Sequence, residues 1–344
     1  MPLQKDTDPE LQRVFMERCL HLAARAEGFT SPNPMVGCVI VHEGKIVAEG
    51  FHRCAGMPHA EVEAVNRLPE SINPSDCEVY VSLEPCSHFG KTPPCANMLL
   101  AKGFGRVVLA HSDPDPRVSG RGIELLKSSG VEVVSDILAS EARFINRRFI
   151  ISKTHQRPYI VLKWAESADG FMDIDRTGGE QGVHWISHPS TKKLVHLWRS
   201  REDAILVGGN TIRTDNPELT VREVAGKSPR RYVFSSAIEF GPYRVFQGIE
   251  PACLCSTQAK GSRAIEEISA RLHNDGMQSV LVEGGKRTLE SFMEAGYWDE
   301  IRILRSPSVI GLGLKAPSLP GAARSESFYF GIDRVSIYYR EAWI

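Results

Sequence analysis

Four residues in the first third of the chain have the types and spacing of a catalytic metal site. His59 and Glu61 are two positions apart in PHAEVEAV, and Cys86 and Cys95 are nine positions apart in EPCSHFGKTPPC. A catalytic zinc ion takes about three protein nitrogen or sulfur ligands and keeps one position open for water. His59, Cys86 and Cys95 complete that set, and Glu61 is then a carboxylate that can take a proton from the attacking water and deliver it to a leaving amine.

The spacing of His59 and Glu61 restricts where the helix that carries them begins. Side chains two positions apart in a helix point about 200° away from each other. Both can face one metal only if His59 lies at the helix start, where Pro58 places it. Taken alone, a histidine at a helix start can cap the backbone, and cysteines can be small buried packing residues. The combination of H-x-E with P-C instead favours a metal site and is typical of zinc-dependent nucleobase deaminases, although here eight residues separate the two cysteines instead of two.

The composition narrows the class of protein. A chain of 344 residues is long enough for two cores, and 41 basic against 42 acidic side chains give no electrostatic case for nucleic-acid binding. Neither a signal peptide nor an apolar run of membrane-spanning length is recognisable, so we expect a cytoplasmic protein with no membrane partner. In that compartment the eight cysteines are expected to be thiols or metal ligands.

The order of strand-like and helix-like segments predicts two α/β domains. After a first helix and a hairpin at 36–50, strands predicted at 78–83, 106–111 and 131–138 alternate with helices at 95–103, 122–130 and 140–150. Such alternation indicates a largely parallel sheet with helices on its faces. The polar segment SKTHQRP predicts a boundary near 150–157, which gives domains at 1–150 and 157–344. The second half is also α/β, but it has no G-x-G-x-x-G after its first strand, so a Rossmann site is unsupported.

Several motifs of the first half resemble the deaminase domain of the bifunctional riboflavin-biosynthesis deaminase/reductase family. They are SPNPMVGCVIV, PHAEVEAV, LEPCSHFGKTPPC and SDPDPRVSGRGI. The resemblance implies a three-layer α/β/α fold like that of cytidine deaminase, one zinc ion, and a substrate that is a small phosphorylated pyrimidine, 2,5-diamino-6-ribosylamino-4(3H)-pyrimidinone 5′-phosphate. It also implies that the substrate is held by Asn33, His52, His88, Lys91 and Asp113. Each of these, taken singly, can instead be a turn former or a surface residue.

The second half resembles the reductase domain of the same family, whose fold is similar to dihydrofolate reductase. The matching segments are LKWAESADG, with alanine at 168 in place of the more usual leucine, WIS at 185–187, residues 198–222 and LVEGG. The resemblance implies hydride transfer from NADPH to the ring-opened ribosyl group, which gives a ribityl group. It implies NADPH binding by Ala165, Trp185, Thr211, Asp215 and Gly285. It implies binding of the ribosyl substrate by Lys163, Arg199, Leu219, Arg222 and Glu283, with the two arginines suited to its phosphate.

Three rival interpretations stay open at this stage: a deaminase with a silent reductase-like domain, a deaminase acting on tRNA or nucleosides, and a non-catalytic zinc-stabilised binding module. Against the last, Glu61 is not needed as a ligand. Lys163, Asp215 and Glu283 are all candidates for the proton donor of the reductase step. Cys253 and Cys255, which share one face of a strand, are expected to pack. The family resemblance also implies a homo-oligomer, a dimer or tetramer.

Overall fold

The computed structural model describes residues 8–87, 93–115, 119–235 and 241–341. The chain forms two compact units that meet in the sequence between His155 and Gln156. The elements of the first unit are α1 (Pro9–Ala24), β1 (Gly37–His42), β2 (Lys45–Phe51), α2 (Ala60–Val65), β3 (Cys77–Val81), α3 (Cys95–Lys102), β4 (Arg106–Leu109), α4 (Arg121–Ser128), β5 (Glu132–Val134), α5 (Ala139–Ile145) and α6 (Arg147–His155).

In the described part of the first unit, five strands form one sheet in the order β2-β1-β3-β4-β5. β1 is antiparallel to both β2 and β3, whereas β3, β4 and β5 are parallel. Successive side chains of a strand point to opposite faces of a sheet. Accordingly Val79 and Val81 pack in a core cluster with α2, α3 and α4, whereas Tyr80 between them packs with α1 and α5. Helices therefore cover both faces, and the predicted three-layer fold is confirmed.

The predicted helix at 140–150 is two helices, which meet at Asn146. The Asn146 side chain accepts a hydrogen bond from the Met35 amide at 2.8 Å and donates one to the Met35 carbonyl at 2.9 Å. It thereby fastens the loop SPNPM to the end of α5. Periodicity alone could not predict this interruption, because the partner is 111 residues away.

The second unit contains the following described elements: β6 (Tyr159–Glu166), β7 (Phe171–Ile174), α7 (Thr191–Arg201), β8 (Ala204–Gly208), α8 (Gly209–Asp215), β9 (Arg230–Phe234), β10 (Cys253–Cys255), α9 (Ser262–Asn274), β11 (Ser279–Val282), α10 (Lys286–Glu294), β12 (Glu300–Arg305), β13 (Gly313–Lys315), β14 (Arg324–Phe330) and β15 (Asp333–Tyr339). Eight of these strands form one sheet in the order β10-β9-β8-β11-β6-β12-β15-β14. The strands from β10 to β12 are parallel, and β15 and β14 close the sheet with antiparallel pairs.

The parallel strands of this sheet are buried on both faces, which is why their sequences read as continuous apolar runs. Leu206 lies in a cluster with α9 and α10, and Val207 lies in a cluster with α8 on the opposite face. Cys253 and Cys255 both pack at the first of these clusters. The mixed α/β architecture predicted for the second half is confirmed, but the helices α8 and α9 and the strands β7, β13 and β14 were not predicted.

Candidate active sites

The predicted zinc ligands converge in the folded first unit. The Nδ1 atom of His59 lies 3.6 Å from the Cys86 sulfur and 3.4 Å from the Cys95 sulfur. In a tetrahedral zinc site with bonds of about 2.05 Å to nitrogen and 2.3 Å to sulfur, these ligand atoms are about 3.5 Å apart. The three side chains therefore fit a zinc ion, and among the described residues they form the one cluster of metal-ligating groups.

Local structure places two of these three residues at helix starts. His59 is the N-cap residue of α2, with extended backbone angles, and Cys95 is the first residue of α3. Pro58 and Pro94 precede them and suit such positions, because proline has no amide hydrogen to lose at the start of a helix. The helix start at His59 is the condition under which His59 and Glu61 can face a common point.

A hydrogen bond between the two cysteine side chains shifts the pKa of each. A hydrogen bond from the Cys95 thiol, opposed by burial, is the main cause that lowers the pKa of Cys86 to about 4, and the His59 ring and the Cys95 amide contribute. The Cys95 amide donates to the Cys86 sulfur at 3.3 Å. The pKa of Cys95 is raised, chiefly because it donates to Cys86 and because it is buried. These contacts therefore favour the thiolate form of Cys86, and thiolates are the form of cysteine that binds metals.

Glu61 is almost completely buried beside this cluster, with 3% of its surface exposed. Burial and the nearby Cys86 thiolate raise the pKa of Glu61 to about 7, while His59 and a hydrogen bond with Cys95 lower it. A carboxyl group with a pKa near 7 can both accept and donate a proton at neutral pH. A divalent cation between the thiolates would favour the ionised form of Glu61, which is the proton-accepting form.

Buried His52 and half-buried Asn33 form a pair next to the cluster. The His52 ring lies edge-on to the His59 ring, with 5.5 Å between ring centroids. Because the Pro58 carbonyl can only accept, the His52 Nδ1 atom must donate in their 3.1 Å contact. Nε2 then accepts from the Asn33 amide nitrogen at 3.1 Å. Burial lowers the pKa of His52, so the ring is neutral.

Of the remaining predicted substrate contacts, Asp113 is described by the structure and lies near the segment that carries Cys86. The Asp113 amide donates to the carboxylate of Glu84, which lies two residues before Cys86, at 3.1 Å. Burial is the main cause that raises the pKa of Asp113 to about 6. His88 and Lys91 lie outside the described residues.

All ten residues predicted for the reductase site line one cavity of about 1230 Å³ in the second unit: Lys163, Ala165, Trp185, Arg199, Thr211, Asp215, Leu219, Arg222, Glu283 and Gly285. Drug-sized ligands occupy pockets of about 300–1,000 Å³, so this cavity is large enough for a ligand bigger than one pyrimidine. The residues come from β6, α7 and α8, from the loops before α7 and after α8, and from the segment between β11 and α10. The parallel strands therefore bring together positions spread over 120 residues of sequence.

Two glycines allow α10 to begin close to α8. A Cβ atom on Gly284 would lie 3.0 Å from the side chain of Val207 and 3.1 Å from the Thr211 hydroxyl. Gly285 is the N-cap residue of α10 and has a φ of +55°, a conformation that favours glycine. Gly284 therefore permits the close packing against Val207 and Thr211, and Gly285 lines the cavity at the start of α10. Glycine is expected where backbone amides approach a phosphate or ribose.

A compact charge cluster forms part of the cavity wall. Two nitrogens of Arg199 donate to the two carboxylate oxygens of Glu283 at 2.9 and 2.7 Å, and a third donates to the Thr220 carbonyl at 3.3 Å. Burial raises the pKa of Glu283, but the charges of Arg199 and Lys163 outweigh it and lower the pKa to about 2. Burial also lowers the pKa of Lys163. Glu283 is thus held as an anion and is a poor proton donor. Lys163 gives up a proton more readily than an exposed lysine, because burial lowers its pKa.

Arg176, Glu84 and Asn146 support predicted site residues, but they were not themselves predicted. Arg176 lines the reductase cavity, pairs with Asp173 at 2.5 Å and lies 3.9 Å from Asp215. Burial raises the pKa of Asp215 to about 6, with Arg176 lowering it. The only available sequence signal was the position of Glu84 inside LEPC; the other two have no local motif.

Comparison with known proteins decides the family. A model of the RibD C-terminal domain matches residues 158–329, and a model of the cytidine and deoxycytidylate deaminase zinc-binding region matches residues 9–111. The chain is 37% identical to riboflavin biosynthesis protein RibD of Aquifex aeolicus over 329 residues, which cover 90% of this chain and 91% of that protein. The chain belongs to the RibD family.

Other members of the RibD family agree with this assignment. The Escherichia coli protein is 34% identical over 352 residues, covering 92% of this chain and 94% of the relative. A Thermotoga maritima crystal structure of a diaminohydroxyphosphoribosylaminopyrimidine deaminase/5-amino-6-(5-phosphoribosylamino)uracil reductase matches with a TM-score of 0.85 and 30% identity, covering 96% of this chain and 99% of that one. Acinetobacter baumannii RibD (form 1) matches with a TM-score of 0.84 and 27% identity, covering 96% and 99%.

As a RibD-family protein, the chain is a bifunctional enzyme of riboflavin biosynthesis, a deaminase and a reductase. Its cofactors are zinc in the deaminase domain and NADPH in the reductase domain. It acts on a small pyrimidine. Within the described residues, no helix is both long and apolar enough to cross a membrane.

Proposed function

We propose that residues 1–150 deaminate 2,5-diamino-6-ribosylamino-4(3H)-pyrimidinone 5′-phosphate and that residues 157–344 then reduce the ribosyl group of the product. The observation that carries the first step is the placement of the Cys86 and Cys95 sulfurs 3.6 and 3.4 Å from the Nδ1 atom of His59, with buried Glu61 beside them. The name of the Thermotoga maritima relative supports the choice of substrate.

A zinc ion held by His59, Cys86 and Cys95 would supply the deaminase step with a Lewis acid for the attacking water. Glu61 accepts a proton from the attacking water and passes it to the amine that leaves as ammonia. His52 is neutral and turned by Pro58 and Asn33 so that it packs against His59. His52 and Asn33 line the pocket that receives the pyrimidine, with Asp113 contacting it from the loop after β4. His88 and Lys91 complete the substrate set, Lys91 at the phosphate.

NADPH bound in the cavity of the second unit would supply the hydride for C1′ of the ring-opened ribosyl group. Ala165, Trp185, Thr211, Asp215 and Gly285 bind the cofactor. Arg222, whose side chain is 49% exposed at the cavity, binds the substrate phosphate. Lys163, Arg199, Leu219 and Glu283 contact the ribosyl part of the substrate.

We also propose a homo-oligomer, a dimer or tetramer, and a cytoplasmic location. The first rests on the family and is checked by light scattering of the purified protein. The second is supported by eight cysteines that are all free thiols, including the two proposed zinc ligands.

The experiment that tests the deaminase assignment replaces Glu61 by glutamine. Glutamine keeps the shape of the side chain but cannot take up a proton, so deamination should fall by about 10²- to 10⁴-fold. Zinc content and NADPH oxidation with the deaminated intermediate should match the unmodified enzyme.

The matched control is Glu63→Gln, on the same helix, where Glu63 forms a surface ion pair with Arg67. This variant should deaminate normally. Deamination by Glu61→Gln at the normal rate would show that Glu61 is not the proton carrier. Absence of NADPH oxidation by the unmodified enzyme would instead contradict the reductase half.

A further inference from the structure

Glu84 joins the segment that carries Cys86 to the loop that carries Asp113. Its side chain is buried, with 4% exposed, and lies two residues before Cys86. Its carboxylate accepts four backbone hydrogen bonds: from Asp113 at 3.1 Å, Gly120 at 2.9 Å, Gly122 at 2.8 Å and Ile123 at 3.3 Å. The Glu84 amide in turn donates to the His111 carbonyl at 3.1 Å.

Three of the four donors belong to the start of α4. The first amides of a helix have no partner within the helix, and Gly120, the N-cap residue, offers no side chain to satisfy them. Glu84 takes this capping role from 36 to 39 residues earlier in the chain. A carboxylate is well suited to it, because the helix N-terminus carries partial positive charge.

Close packing supports the same connection. A Cβ atom on Gly122 would lie 2.2 Å from the Pro85 carbonyl oxygen and 3.1 Å from a Glu84 carboxylate oxygen. The backbone of α4 therefore touches the backbone that leads directly into Cys86. Hydrogen bonds and contact together fix the distance between the α4 start and the metal-binding segment.

We infer that Glu84 is a positioning residue for deamination, which holds the Asp113 loop in register with the Cys86 segment. Glu84 links Cys86 and Asp113 without being a proposed zinc ligand or substrate contact itself. Cys86 follows Glu84 by two residues, and the backbone amide of Asp113 donates to the Glu84 carboxylate. The carboxylate thus keeps a proposed substrate contact at a constant distance from a proposed zinc ligand. This inference rests on the proposed deaminase site.

Glu84→Gln is the test. Glutamine has nearly the same shape, but its NH₂ group would face two backbone N–H donors, so two of the four hydrogen bonds would be lost. Loss of a residue that orients site groups typically costs about 10- to 100-fold. Because Asp113 is proposed to bind the ground state of the substrate, we expect the KM for deamination to rise about tenfold or more with a smaller change in kcat.

Two readouts do not depend on turnover. Zinc content should remain at one ion per chain. The affinity for the deaminated pyrimidine phosphate, measured by calorimetry without NADPH, should fall at the deaminase site in parallel with the rise in KM. Reduction of the same compound should be unchanged, because Glu84 lies in the first unit.

The matched control is Glu49→Gln, in the same unit, where Glu49 pairs with Arg18 on the surface. It should leave the KM unchanged. A Glu84→Gln protein with the same KM and product affinity as Glu49→Gln would overturn the inference. The inference would also be overturned if the activity of Glu84→Gln fell only in proportion to the loss of folded protein.

Glu84→Asp keeps both carboxylate oxygens on a side chain one methylene shorter, and it serves if Glu84→Gln does not fold. An intermediate rise in KM supports the positioning role, whereas a normal KM overturns it. Failure of the proposed function is distinguishable, because the unmodified enzyme and Glu49→Gln would then fail to deaminate as well.

Discussion

Arg199 and Glu283, 84 residues apart in the sequence, form a two-pronged ion pair at the wall of the reductase cavity, with N–O distances of 2.9 and 2.7 Å. A third nitrogen of Arg199 donates to the Thr220 carbonyl. The family resemblance predicted that both Arg199 and Arg222 bind the substrate phosphate. Arg199 is committed to a buried carboxylate, whereas Arg222 pairs with Glu218 at 2.8 Å in the open, with the two side chains 49% and 40% exposed. We therefore assign the phosphate to Arg222 and the orientation of Glu283 to Arg199.

Arg199→Ala should destabilise the second unit strongly, because it leaves Glu283 charged and buried beside a single cation, Lys163. Removing one partner of a buried pair typically costs about 3–5 kcal/mol. Urea denaturation followed by tryptophan fluorescence measures this, since Trp164, Trp185, Trp198 and Trp298 all lie in the second unit.

The control for Arg199→Ala is Arg271→Ala, which removes an exposed i,i+4 pair with Asp275 on α9. It should change the free energy of unfolding by less than about 0.5 kcal/mol. Equal effects of the two substitutions would contradict the assignment of a buried, stabilising pair.

The Glu283 carboxylate predicts a pH dependence of stability. Its pKa is about 2 in the folded protein, below the ordinary 4.5 expected after unfolding. The corresponding stabilisation, on the order of 3 kcal/mol, is present above about pH 4.5 and is lost as the pH falls toward 2. Denaturation across this range should therefore show a shallower acid dependence for Glu283→Gln than for the unmodified protein. Glu218→Gln, at an exposed carboxylate, should keep the full dependence.

Zinc removal should abolish deamination and leave reduction intact. Chelation should also expose two thiols to a thiol reagent at neutral pH, first Cys86, whose pKa is lowered to about 4. Adding zinc should restore activity and protect both thiols. Cys86→Ser should lower the zinc content, whereas Cys54→Ser, at a partly exposed cysteine of the same unit, should not. Full deamination by the chelated protein would exclude a catalytic metal.

Arg222→Ala should raise the KM of the reductase for its substrate by about tenfold or more, because a hydrogen bond to a charged group contributes roughly 1.5–3 kcal/mol. Deamination should not change. Steady-state kinetics of both reactions measure this, with Arg263→Ala, an exposed arginine on α9, as the control. A defect confined to deamination would contradict the division into two sites.

Much of the metal cluster could be predicted from the sequence alone. H-x-E after a proline and P-C before a helix carry their own geometry, since each places a ligand at or near a helix start. Alternating and continuous apolar runs likewise indicated the central strands of both sheets. These signals are local, so they survive without knowledge of the tertiary structure.

Several helices and strands could not be predicted from local sequence patterns. The division of one predicted helix at Asn146 depends on a distant backbone partner, Met35. β14 pairs only with β15 and exposes most of its side chains, so it lacks the apolar alternation of a half-buried strand. The helices α8 and α9 begin after Gly208 and Gly261, so no Ser, Thr, Asp or Asn marks their starts.

By itself the sequence determined which chemical groups are available for the two proposed sites and the α/β alternation of both halves, and it predicted a boundary near 150–157. Only the tertiary structure decided how those groups are engaged: Arg199 with Glu283, Glu84 with the start of α4, and His52 with Asn33. The reason is physical. These contacts join residues 19 to 84 positions apart, and whether they meet depends on strand order and helix packing, which no local pattern of residues encodes.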